Sequence, residues 1–152
     1  MSETTIVLNQ RIGTICKSKD LILSLTANER KSLRGRRKTT CGQEILLQLP
    51  REGPLMDGEV LTGDQSSPLV LIKAAMESLF LVSAKTDLEL IQASYHLGNR
   101  HIDLEIHNKK LFLLEDAVLA VMLKQRGLKV EKSKRAFFPE LGAYSQALKS
   151  SQ

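Results

Sequence analysis

The chain has 152 residues, enough for one ordinary domain or two small ones, and no apolar run reaches the roughly 20 residues that a bilayer-crossing helix needs. Hydrophobic residues make up 42% and charged residues 26%, the balance of a globular chain; with 4% aromatic residues and no Trp, the core has to be built from Leu, Ile and Val. Twenty-two Lys and Arg against 17 Asp and Glu give a net charge of +5, which favours acidic partners without choosing among nucleic acid, anionic membrane and protein.

The N-terminus, Met1-Ser-Glu-Thr-Thr, lacks the basic stretch and apolar run of a signal peptide, so the cytoplasm is the expected location. Residues 1–75 read as mostly β, a small N-terminal barrel or sandwich. Thr5-Ile-Val-Leu, Leu21-Ile-Leu-Ser-Leu-Thr, Ile45-Leu-Leu-Gln-Leu and Val60-Leu-Thr are the strand candidates, with Gly13, Gly42, Gly53 and Gly58 as turns between them. Gly63-Asp-Gln-Ser-Ser-Pro is a polar loop, and Leu69 to Ala75 is the last strand of this half.

The rhythm then changes. Ser78 to Ser83 is an apolar strand. Asp87 to Leu97 carries Leu88, Leu90, Ile91 and Tyr95 at helical spacing, with Thr86 or Asp87 as cap and Gly98 as stop. His101 to His107 alternates, with Ile102, Leu104 and Ile106 on one side and His101, Asp103, Glu105 and His107 on the other. Leu111 to Leu114 is a buried strand. Asp116 caps a second helix to Arg126, with Val118, Leu119, Met122 and Leu123 as its apolar side, and Gly127 ends it. Leu128 to Lys132 closes the order β-α-β-β-α-β. That is the ferredoxin-like plan: two helices on one face of an antiparallel sheet, with the other face open to a partner. The fold class is therefore α+β, with a β domain over 1–75, a ferredoxin-like domain over 76–144, and a flexible tail over 145–152.

Ala93-Ser-Tyr-His-Leu-Gly-Asn-Arg-His101, continued by Ile102-Asp-Leu-Glu-Ile, resembles the signature of the urease accessory protein UreE family. Phe138-Pro-Glu-Leu-Gly-Ala-Tyr144 is similar to that family's closing motif, and Asp116-Ala-Val-Leu-Ala-Val-Met-Leu and Gly127-Leu-Lys-Val stand between them at matching spacing. The first half is looser but compatible in Leu49-Pro-Arg and Asp57-Gly-Glu-Val-Leu. The resemblance implies a homodimeric nickel metallochaperone, not an enzyme, that delivers Ni2+ to apo-urease with other accessory proteins, including a GTPase. It implies that His101, the histidine ending Gly-Asn-Arg-His, is the metal residue at the dimer interface. Imidazole suits nickel and also accepts zinc or copper, and two-fold symmetry turns one weak donor into two.

His96, at the end of the first helix, suits a role at the helix C-terminus better than metal ligation. His107 is about 20 Å from His101 along one extended strand, so it is at most an auxiliary ligand. Where many relatives flank the aspartate of the second helix with histidines, this chain has Glu115 and Ala117, and the tail Ser145 to Gln152 has none. Both departures point to about one nickel per dimer. Cys16 and Cys41 form no Cys-x-x-Cys pair and read as small buried side chains.

Two other readings compete. Arg30-Lys-Ser-Leu-Arg-Gly-Arg-Arg-Lys38 is either a solvated loop or edge or a docking surface for an acidic protein. It also suggests a nucleic-acid-binding module, although Phe80 and Phe112 sit in apolar runs and leave no exposed aromatic platform, so no nucleic acid is expected. A urease-assembly scaffold with little metal binding is the third reading. No Walker loop, Gly-x-Ser-x-Gly or His-Glu-x-x-His occurs, so no catalytic site is expected.

Overall fold

The computed structural model describes residues 4–13, 21–64 and 67–142; Cys16 and the tail over 145–152 lie outside these. The chain divides into two compact units, Met1–Ala75 and Met76–Gln152.

The first unit holds β1 (Ile6–Leu8), β2 (Gln10–Arg11), β3 (Leu21–Leu25), α1 (Ala27–Lys31), β4 (Arg34–Lys38), β5 (Glu44–Gln48), β6 (Val60–Thr62) and β7 (Val70–Ala74). They form two sheets, ordered β1-β5-β4 and β2-β6-β7-β3. β1 pairs with β5 and β3 with β7 in parallel; the other pairs are antiparallel. The core is aliphatic, built on Leu8, Leu23, Leu25, Ile45, Leu47, Leu61 and Ile72. A buried ion pair between Arg11 and Glu59 ties β2 to the turn before β6, and Arg11 also donates to the carbonyls of Gly53 and Pro54. Strand periodicity overlooks α1. It forms because Thr26 Oγ1 accepts from Glu29 N at 3.2 Å while Glu29 Oε1 accepts from Thr26 N at 2.9 Å, a reciprocal cap that closes one turn of helix.

The second unit holds β8 (Met76–Ser83), α2 (Asp87–Asn99), β9 (Glu105–Ile106), β10 (Leu111–Leu114), α3 (Ala117–Gln125) and β11 (Lys129–Ala136). Its sheet runs β11-β8-β10-β9, antiparallel throughout, which is the strand order of a ferredoxin-like domain. Phe80 and Val82 of β8 and Leu111 and Leu113 of β10 face the helices and pack with Leu90, Ala93, Leu97, Leu119 and Leu123. Thr86 caps α2 through Glu89 N, and Asp116 Oδ1 caps α3 through Val118 N and Leu119 N at 2.9 and 3.1 Å.

Two expectations change here. The opposite sheet face is partly covered: Leu79, Phe112 and Glu105 on that side are buried, while Leu81 and Leu114 are half-buried and Glu131 is exposed. The helices also have less of their apolar surface in the core than periodicity suggested. Leu88, Ile91 and Tyr95 of α2, and Val118 and Val121 of α3, are 57–69% exposed. Leu88 and Leu90 differ by about 200° around the helix axis, so α2 has two apolar stripes on opposite sides. Only the one with Leu90, Ala93 and Leu97 meets the sheet.

Candidate metal centre

α2 does not stop at Gly98. It runs through Asn99, and Arg100 is the last partly helical residue. His101 then takes a left-handed conformation, φ +59°, the only non-glycine among the described residues to do so. Its N–H donates to the Gly98 carbonyl at 2.9 Å, and the Ile102 N–H donates to the Leu97 carbonyl at 3.1 Å. These two bonds define a Schellman turn, in which the left-handed position is normally glycine because a Cβ there is strained. The turn satisfies carbonyls at the helix end and leaves the imidazole exposed.

His101 is therefore not on a strand, as alternation suggested. The strand that follows is only Glu105–Ile106. Alternation failed because the left-handed turn comes first and the chain reaches β10 only at its last two residues, where Ile106 pairs with Leu111 and Glu105 with Phe112. The strand spacing used to separate His101 from His107 consequently does not apply.

Glu105 and His107 do share a side, but they serve another purpose. Glu105 Oε2 accepts from His107 Nε2 at 2.6 Å and from Arg135 Nη2 at 2.9 Å, and Oε1 accepts from Phe138 N at 2.8 Å. The Arg135 guanidinium lies 4.2 Å from the centre of the Phe112 ring, with the His107 ring edge-on to the same ring. Burial pushes the Glu105 carboxyl up, but the Phe138 amide, His107 and Arg135 outweigh it and hold it below the usual carboxylate range. Glu140 N donates to the Leu104 carbonyl at 2.6 Å. The segment after β11 is thus clasped to β9, which joins the two sequence motifs that stand some 35 residues apart. The alternating pattern carried no signal for this clasp.

His96 lies in the last turn of α2 with its ring edge-on to Tyr95, consistent with a helix-end role. Cys41 is exposed rather than buried; the Thr39 hydroxyl, 3.3 Å from Sγ, lowers its thiol pKa. Arg30 is buried, with Nη1 donating to the Leu25 carbonyl, so the basic run presents fewer charges than it counts. Among the described residues, no three His, Cys, Asp or Glu side chains converge to hold a metal ion.

The family model for the UreE urease accessory protein C-terminal domain matches residues 77–152. A urease accessory protein UreE of Parasynechococcus marenigrum (strain WH8102) is 50% identical over 145 residues, covering 95% of this chain and 97% of that protein. The chain belongs to the UreE family. The UreE of Synechococcus sp. (strain CC9311) is 54% identical over 122 residues, 80% of this chain and 79% of its own length. That of Prochlorococcus marinus subsp. pastoris (strain CCMP1986) is 43% identical over 130 residues, 86% of this chain and 84% of its own. The proteins matched are named urease accessory proteins. No helix among the described residues is long and apolar enough to cross a membrane.

Proposed function

We propose that this chain is a cytoplasmic nickel metallochaperone of urease assembly, a homodimer that carries Ni2+ between the His101 imidazoles of its two protomers and releases it to the urease apoprotein with the accessory GTPase. The observation that carries this reading is the strained backbone at His101. A histidine occupies a position where glycine would be more stable, and no side-chain hydrogen bond to the described residues accounts for it.

The apolar ridge of Leu88, Ile91 and Tyr95 supports dimer formation. It is too large to be incidental on a helix whose other side already fills the core, and its i, i+3, i+7 series runs on towards Gly98 and Asn99, just before His101. Packed on a dyad, such ridges would bring two exposed imidazoles together. The negative end of the α2 dipole favours a cation there. Two imidazoles with open positions form a seat that an ion can leave, as a carrier requires; zinc or copper would also fit. The described residues of one chain bring no three such donors together, which supports a low capacity.

Calorimetric nickel titration, with light scattering on the same samples, tests this. The wild type is expected to be dimeric and to bind about one ion per dimer. The His101→Ala variant should remain dimeric and bind at least about a hundredfold more weakly. A dimer that binds no nickel in the wild type would support the scaffold reading instead.

A further inference from the structure

The first unit carries a row of cations that the metal reading leaves unused. β4 is the outer strand of its sheet. Arg34, Arg36 and Lys38 are exposed along it, while Gly35 and Arg37 between them are half-buried. None of the three makes an ion pair with the described residues. At about 3.3 Å per residue the row is about 13 Å long, with a cation about every 6.6 Å.

The strand's main chain is engaged by its own side chains. Ser32 Oγ donates to the Arg34 carbonyl at 3.2 Å, and Arg37 Nη1 donates to the Arg36 carbonyl at 2.6 Å. Arg37 Nη2 reaches the Ser32 carbonyl at 3.5 Å. Gly35 makes room for this: its φ is +128°, and a Cβ there would stand 3.2 Å from Arg37 Nη1. Capped carbonyls disfavour the addition of another strand to this edge. The charges on the exposed face have no counter-ion among the described residues.

We propose that β4 is a docking strip for an acidic segment of a protein partner, read through carboxylate side chains rather than by strand pairing. An extended segment presents alternate side chains at the same spacing as the cations, and guanidinium groups bind carboxylates bidentately. A protein fits better than nucleic acid because residues 1–75 contain no Phe, Tyr or Trp on which a base could stack. Membership of a family of accessory proteins agrees with a protein partner. The strip is separate from the metal reading and does not depend on it.

The test uses the full chain and two fluorescent probes, a Glu-Thr repeat peptide of twelve residues and a dT12 oligonucleotide, with anisotropy as readout. The Arg34→Gln, Arg36→Gln, Lys38→Gln variant is compared with Lys124→Gln, Lys132→Gln, Lys134→Gln, which removes the same charge from the exposed surface of the second unit. Peptide binding should weaken about tenfold or more in the first variant, remain unchanged in the second, and nickel titration should be the same in both. Equal loss in both variants, no peptide binding by the wild type, or tighter binding of dT12 lost with the β4 variant would overturn the proposal. If circular dichroism shows the triple variant unfolded, Arg36→Gln alone should still weaken the peptide by about twofold or more, and no change would count against the strip.

Discussion

The two helices of the second unit end in the same way but with different residues. α2 closes with His101 N to Gly98 O at 2.9 Å and Ile102 N to Leu97 O at 3.1 Å; α3 closes with Gly127 N to Lys124 O at 3.0 Å and Leu128 N to Leu123 O at 3.1 Å. The left-handed residue is Gly127, φ +83°, in one turn and His101, φ +59°, in the other. The hydrogen bonding of the two turns is equivalent, so the backbone does not call for a histidine. α3 shows what the turn needs for stability, and α2 shows what is retained at its expense. The imidazole is the difference.

Breaking the outer surface of α2 should have the largest effect. Ile91→Glu together with Tyr95→Glu should convert the proposed dimer to monomer by light scattering, with about 2 kcal/mol lost at each residue. The core stripe of Leu90, Ala93 and Leu97 is untouched, so circular dichroism should remain that of the folded chain. A double variant that stays dimeric would move the interface elsewhere and leave His101 without its symmetry mate.

Glu105→Gln should follow, at about 1–3 kcal/mol, because a buried carboxylate with three donors is replaced by an amide that accepts less well and brings an N–H2 to a site of donors. The sign of the pH effect follows from the lowered carboxyl pKa. Its stabilisation is fully present above the unfolded-state value and is lost as pH falls through the folded-state value. The wild type should therefore lose stability on acidification more steeply than Glu105→Gln, measured by urea unfolding from pH 7 down to pH 3. Parallel curves would remove the clasp as a source of stability.

Exchanging residues between the helix ends should have the smallest effect and sharpens the comparison most. Gly127→Ala should cost about 1 kcal/mol, and His101→Gly should gain about 1 kcal/mol. For a domain of this size each corresponds to about 4 °C or more in melting temperature, in opposite directions. Equal and small shifts of the same sign would show that the turn at His101 is not strained.

Much of the fold was legible because periodicity and punctuation agreed. The ferredoxin-like order was readable from Leu111 to Leu114, from Asp116 as a cap and from Gly127 as a stop, each with a local physical cause. α1 was not, because a five-residue helix depends on its Thr26–Glu29 cap rather than on an apolar stripe. Gly98 misled because glycine is the usual left-handed residue, while the chain places His101 there three residues later. Val118 and Leu88 belong to the apolar series of their helices yet are exposed, because periodicity detects an apolar stripe without saying what it faces. The proposed metal residue stood out through the motif Gly-Asn-Arg-His, but its conformation did not, and neither did the Glu105 clasp, whose partners Arg135 and Phe138 lie far along the chain.

Thermal melting and nickel titration of one His101→Gly preparation test the central claim most directly. The account predicts that this variant melts higher than the wild type and remains dimeric, yet binds nickel at least about a hundredfold more weakly. A variant that bound nickel like the wild type would contradict it, since the strained histidine would then have no function at the metal site.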